Sequence, residues 1–227
     1  MFSPRPSAAV LASYAQLLDG AHAHGCVTLA FGISPVFKTA LANNTPASPI
    51  TFLLLEKKDT PRKNSPTAFV KLDASNNVYQ AWGSYLQDPV YQWAKETNTQ
   101  LLGLNDHVLY IHSKFMLVDP LGADPIVVTG SANFSEASTT DNDENMVIIH
   151  GEHRVADIYL AEFNRLFNHY YFRSVTEDLH RPGADRGTTD ASLFLDETPT
   201  WQTKYQPGKL RAKRLNLYTS MTGTQTL

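Results

Sequence analysis

One cysteine, Cys26, stands among 227 residues, so no internal disulfide can form. That suits a reducing compartment. Cys26 opens an apolar run over residues 26–31, so a buried structural thiol is expected. No stretch approaches the roughly 20 apolar residues of a membrane-spanning helix. The first residues lack a basic stretch followed by an apolar core, so no secretory signal is visible. A cytoplasmic location is the expectation if Met1 is the natural start. Strong charge is also missing: the net charge is -3, which excludes a generally polyanion-binding chain. The one local excess is Lys204, Lys209, Arg211, Lys213 and Arg214, with no acid between them, and a solvated or docked tail explains so short a run. No internal repeat is visible.

Hydrophobic residues make up 42% of the chain and charged residues 18%, enough apolar material for a packed core. Residues 7–24 read as an amphipathic helix, with Leu11, Tyr14, Leu18 and Ala21 at helical spacing and Gly25 as the stop. A buried strand follows over residues 26–31, then a helix from an Ser34 cap to about Asn43, then a strand over residues 50–56. This alternation predicts a layered α/β fold with parallel pairing. A charged loop is expected over residues 59–66, a strand over 68–72 and a short helix over 88–97. Strands are expected over 108–111, 114–118, 126–129 and 146–149, and a long helix over 152–171. The opening Phe2-Ser3-Pro4-Arg5-Pro6 reads as a linker. Residues 174–227 read as a C-terminal extension, packed by aromatics such as Trp201 and Tyr205, behind a domain of residues 1–173.

The chemistry concentrates in His112-Ser113-Lys114-Phe115-Met116-Leu117-Val118-Asp119, an H-x-K-x-x-x-x-D pattern in an apolar, extended stretch. On a strand, His112 and Lys114 point to one face and offer an imidazole and an ammonium to an anionic phosphate. Asp119 is an odd number of residues from both, so geometry alone assigns it to fixing local structure. The next strand ends in Gly130-Ser131-Ala132-Asn133. Gly130 would let the backbone approach a ligand, and Ser131 and Asn133 can donate hydrogen bonds to phosphate oxygens. Asn142-Asp143-Glu144-Asn145 then leads into the last strand, and a carboxylate there could accept the second ring N–H of His112 and fix its tautomer. Each piece alone is commonplace: a pair of polar residues, a turn, an acidic loop. Their order on consecutive strands is not. The other seven histidines, among them His22 and His24, lack a lysine two residues on and read as structural or solvated.

This set, H-x-K-x-x-x-x-D followed by G-S-x-N and a downstream Glu, resembles the signature of the phospholipase D superfamily. The likeness runs over roughly residues 8–173 and includes the stretch ending in Ala30-Phe31-Gly32-Ile33-Ser34. The resemblance implies an α/β fold with a mixed, largely parallel sheet sandwiched by helices. It implies a phosphodiesterase or nuclease that works without metal or other cofactor, through a phosphohistidine, on nucleic acid or phospholipid. It carries His112, Lys114, Asp119 and Glu144 over as catalytic residues, and Lys114, Ser131 and Asn133 as phosphate-binding ones. Members pair two such motifs across a pseudo-two-fold axis, and only one is present here. The second half is expected from a missing N-terminal region, as in two-motif bacterial-type members, or from a homodimer mate.

Two rivals remain. A silent binding or assembly module of the same fold would not need His112, Lys114, Ser131, Asn133 and Glu144 intact. A metal-dependent hydrolase would use His112, Asp119, Asp143 and Glu144, but the lysine beside His112 repels a divalent ion.

Overall fold

The computed structural model describes residues 1–61, 69–83, 111–179 and 198–219. The chain divides into two compact units, Met1–Val175 and Thr176–Leu227. In the first, helix α1 (Ala9–Asp19) precedes β1 (His24–Leu29), and α2 (Pro35–Ala42) precedes β2 (Ile50–Leu55). Then follow β3 (Val78–Trp82), β4 (Phe115–Val118), β5 (Ile126–Gly130), α3 (Glu136–Thr140), β6 (Met146–His150) and α4 (His153–Leu179). The six strands form one sheet in the order β3-β2-β1-β4-β5-β6.

The sheet is mixed. β1–β2 and β2–β3 are parallel, whereas β1–β4, β4–β5 and β5–β6 are antiparallel. Parallel pairing is therefore confined to one half, less than expected. The reason lies in the connections: β4 reverses into β5 through residues 119–125, and β5 into β6 through residues 131–145, which carry the short α3, so each strand returns antiparallel to the one before it. Strand β3 replaces the strand expected over residues 68–72. There Leu72 enters the core with Val70 packed against it, and a turn closed by Asp73, whose carboxylate accepts from the Ser75 amide, intervenes before Val78. The helix expected over 88–97 and most of the strand over 108–111 lie outside the described residues, as does much of the 59–66 loop.

Both faces of the sheet are covered. On one, Leu11, Tyr14 and Leu18 of α1 and Phe37 and Leu41 of α2 pack against Val27, Leu29, Leu53, Met116 and Val128. On the other, α4 supplies Tyr159, Phe163 and Phe167, whose rings meet Phe115 and Phe52 at centroid distances of 5.1 to 6.2 Å. A buried Phe of this kind contributes about 1.5–3 kcal/mol. Residues 2–3 are not a linker. Phe2 bridges to Asn145, and the Ser3 amide donates to the Glu144 carbonyl at 2.8 Å, so this segment braces the entry to β6. In the second unit, Trp201 and Tyr205 stack edge to face in the turn Pro199–Tyr205, and Arg211 of α5 (Leu210–Thr219) lies over the Tyr205 ring. Among the described residues no helix is long and apolar enough to cross a membrane.

His24, at the start of β1, is 1% exposed, and neither ring nitrogen has a hydrogen-bond partner among the described residues. Burial pushes its imidazole down to about 4, with nearby Asp119 opposing part of that shift. The unfolded chain therefore binds this proton near pH 6.5 and the folded chain does not. Stability from neutral His24 is present above pH 6.5 and is lost as pH falls towards 4. The expected size is about 3 kcal/mol. Denaturant unfolding between pH 7 and 4 should show a steeper loss for the parent than for His24→Gln; equal slopes would contradict it.

Candidate active site

The amino end of β4, the carboxyl ends of β1, β2 and β5 and the entry to β6 all lie at one edge of the sheet. The registers fix this. Thr28 and Leu29 end β1 beside the start of β4, Thr129 lies opposite Phe115, and Gly130 lies opposite Met146. His112 and Lys114 immediately precede β4, Ser131 and Asn133 immediately follow β5, and Glu144 immediately precedes β6. One edge thus gathers five of the six residues singled out from sequence.

The sixth, Asp119, lies at the opposite end of β4. At about 3.3 Å per residue it stands roughly 16 Å from Lys114. Its carboxylate accepts from the backbone amides of His22 at 2.6 Å, Ala23 at 2.7 Å and His24 at 3.0 Å. Its own amide donates to the His24 carbonyl at 2.9 Å, and its φ is 43°. Asp119 therefore ties the entry of β1 to the exit of β4, at the end of that strand away from Lys114. The grouping of His112, Asp119, Asp143 and Glu144 around one metal is excluded by the same separation, and among the described residues no three potential ligands converge on a cation.

His112 is exposed, and the edge of its ring meets Phe31 with centroids 6.4 Å apart. Lys114 is part-buried, and its Nζ donates to the His112 carbonyl at 2.9 Å, so the ammonium and the imidazole belong to one local unit. Burial lowers the Lys114 pKa from the ordinary lysine range, and the Glu144 charge partly restores it. Glu144 is thus the electrostatic partner of Lys114. Among the described residues no hydrogen bond joins its carboxylate to the His112 ring, contrary to the expected tautomer-fixing contact.

Gly130 is needed, but not for a ligand: a Cβ there would collide with the Asn145 carbonyl and the Met146 backbone. The Ser131 hydroxyl accepts from the Asn145 amide at 3.0 Å, which leaves its own proton free to donate at the exposed edge. The Asn133 side-chain oxygen is buried without a partner among the described residues.

Two positioning residues escaped sequence reasoning. Glu56, directly after β2, is 2% exposed, and its carboxylate accepts from the Ile111 amide at 2.5 Å. Thr28 of β1 donates its hydroxyl to the Ser113 carbonyl at 2.8 Å and accepts from the Phe115 amide at 3.0 Å. Together they grip the backbone on both sides of His112. The available signals were a charged residue ending an otherwise apolar strand, and a threonine within a fully buried one.

A family model described as "Cardiolipin synthase, PLD-like domain" matches residues 55–167, the span that holds Glu56, His112, Lys114, Asp119, Ser131, Asn133 and Glu144. A search of the curated proteins finds no match. Among solved structures, the chain is similar to Nuc from Salmonella typhimurium, a phospholipase D family member. The identity is 20% over 74% of this chain and 91% of that one, with a TM-score of 0.45. It is also similar to NucT from Helicobacter pylori, at 14% identity over 74% of this chain and 93% of that one, with a TM-score of 0.47.

Loss of the Glu56 grip should be felt in turnover before binding. Glu56→Ala should lower kcat about tenfold or more, a size typical of a lost positioning contact, with KM nearly unchanged. Glu56→Gln, whose amide oxygen still accepts from Ile111, should recover most of it. A Glu56→Ala protein with unaltered kcat, or a Gln variant no better than Ala, would rule the role out.

Proposed function

This chain belongs to the phospholipase D superfamily of phosphodiesterases, and on that premise we propose that it cleaves phosphodiesters through a covalent phosphohistidine, with His112 as a reacting residue. The observation that carries the reading is the exposed imidazole of His112 held in one unit with the part-buried ammonium of Lys114. A desolvated cation beside an exposed nitrogen base is what an anionic, pentavalent transition state requires. Ser131 and Asn133 supply further neutral contacts to the phosphoryl oxygens, and Glu144 keeps Lys114 charged.

The steps balance as follows. A histidine nitrogen attacks phosphorus, the bond to the leaving oxygen breaks, and an acid on the far side protonates that oxygen. Water, deprotonated by the same far-side group, then attacks phosphorus and frees the histidine. One imidazole cannot stand on both sides of phosphorus at once. We therefore propose that a second H-x-K half completes the site, from another copy of this chain or from another segment of the same protein. In a two-copy assembly the two His112 rings take the two roles, and the interface contains the sheet edge described above. The rival reading, a silent module, leaves the exposed His112 and the desolvated Lys114 without a purpose.

With bis(p-nitrophenyl) phosphate as substrate, His112→Ala should abolish turnover, and Lys114→Ala should cost about a hundredfold or more. Near-normal rates in purified His112→Ala protein would end the proposal. Because the Lys114 pKa is lowered, its charge is lost at lower pH than an ordinary lysine's. The rate should therefore fall on the alkaline side before the ordinary lysine range, and Lys114→Arg, which stays charged, should shift that fall upward. Activity should survive excess EDTA; loss that a divalent ion restores would favour metal-dependent chemistry.

A further inference from the structure

Phe31 and Lys57 are left over by the chemistry above. Phe31 is 58% exposed, although burial would be its ordinary fate. Gly32, at φ 89°, turns the chain sharply after it, so that Ile33 returns to the core while Phe31 stays outside. Its ring stands at 84° to the His112 ring, with centroids 6.4 Å apart. Lys57 is exposed as well and makes no ion pair among the described residues. The neighbouring cations are engaged: Lys38 pairs with Asp59 at 2.7 Å, and Lys58 lies over the Trp82 ring.

The two residues are neighbours by register. Leu29 lies opposite Leu55 in the parallel β1–β2 ladder, and the Glu56 amide donates to the Leu29 carbonyl at 3.2 Å. Phe31 and Lys57 each come two residues after that last pair. They sit at the carboxyl ends of adjacent parallel strands, where open α/β sheets bind ligands.

An exposed aromatic face near an exposed cation without an ion pair among the described residues is the minimal recognition unit for unpaired nucleic acid: bases stack on the ring and the cation follows the phosphates. A duplex cannot use it, since its base faces are already stacked. A lipid chain is a poorer occupant, because acyl contacts call for a contiguous apolar area, and Phe31 meets the polar His112 ring, follows on Ala30 and precedes Gly32, with Lys57 at the end of the adjacent strand. We propose that Phe31 is the stacking platform for an unpaired base adjoining the phosphate at His112, that Lys57 contacts a neighbouring phosphate, and that the substrate is single-stranded nucleic acid. This rests on His112 being a reacting residue, as proposed above.

Binding and cleavage test the two readings separately. Anisotropy of a labelled oligothymidylate, and of an abasic strand of the same length, is measured with the parent, Phe31→Ala, Phe31→Trp and Lys57→Gln proteins. Phe31→Ala should weaken oligothymidylate binding about tenfold or more and leave the abasic strand unchanged, while Phe31→Trp should bind as tightly as the parent. Lys57→Gln should weaken both strands and flatten the salt dependence. Equal binding of oligothymidylate by the parent and Phe31→Ala proteins would overturn the proposal. So would a Phe31→Ala protein that loses cleavage of phosphatidylglycerol vesicles but not of the oligonucleotide. If the parent, assembled with the second H-x-K half, binds the strand through Phe31 yet cleaves no diester, the catalytic reading fails and the stacking site stands.

Discussion

The antiparallel contact between β1 and β4 carries the rest of the molecule. It joins the parallel half of the sheet to the antiparallel half, through only three opposed residue pairs. So short a ladder needs fastening at its ends. At one end the Asp119 carboxylate gathers the amides of His22, Ala23 and His24. Three charge-assisted bonds from one buried carboxylate fix where β1 begins relative to where β4 ends. At the other end Thr28 spans the first residues of β4 with its hydroxyl. Glu56 adds a grip from the neighbouring strand.

The active edge follows from that fastening. Once β4 is held in register, His112 and Lys114 must emerge where β1 and β2 finish. The two antiparallel returns then bring Ser131, Asn133 and Glu144 to the same edge. Close approach at Gly130 lets β6 start beside the end of β5, and the bracing segment at Phe2 and Ser3 holds Glu144 there. The division of labour is electrostatic. Asp119 and Glu56 spend their charge on backbone amides. Glu144 is left to support Lys114, whose positive charge makes no salt bridge among the described residues.

Much of this was legible in the residues. The helical spacing of Leu11, Tyr14 and Leu18, the apolar runs of β1, β2, β4 and β5, and the α4 stripe all report burial, and burial dominates local structure. The odd spacing of Asp119 from Lys114 pointed to a structural role for it, which its three bonds to the His22, Ala23 and His24 amides fit. Other features depend on partners distant in sequence. Nothing around Glu56 reveals that Ile111 waits for its carboxylate, 55 positions away. Gly130 looked like a place for a ligand, because a sequence cannot show that the Asn145 backbone fills that space. Strand β3 hid behind the Asp73 turn, since its Gln80 and Tyr79 weaken the apolar run. That Glu144 acts on the charge of Lys114 rather than bonding to the His112 ring depends on how three separate segments meet, which no local pattern encodes.

The central claim is that this sheet edge binds a phosphodiester at His112 and Lys114. Tungstate, a phosphate mimic, tests it most directly in a crystal of the protein in its assembled form. The account predicts one oxyanion within hydrogen-bond distance of a His112 ring nitrogen and of Lys114 Nζ, with the Asn133 side chain turned to meet it. An oxyanion bound only elsewhere, with His112 and Lys114 untouched, would contradict it.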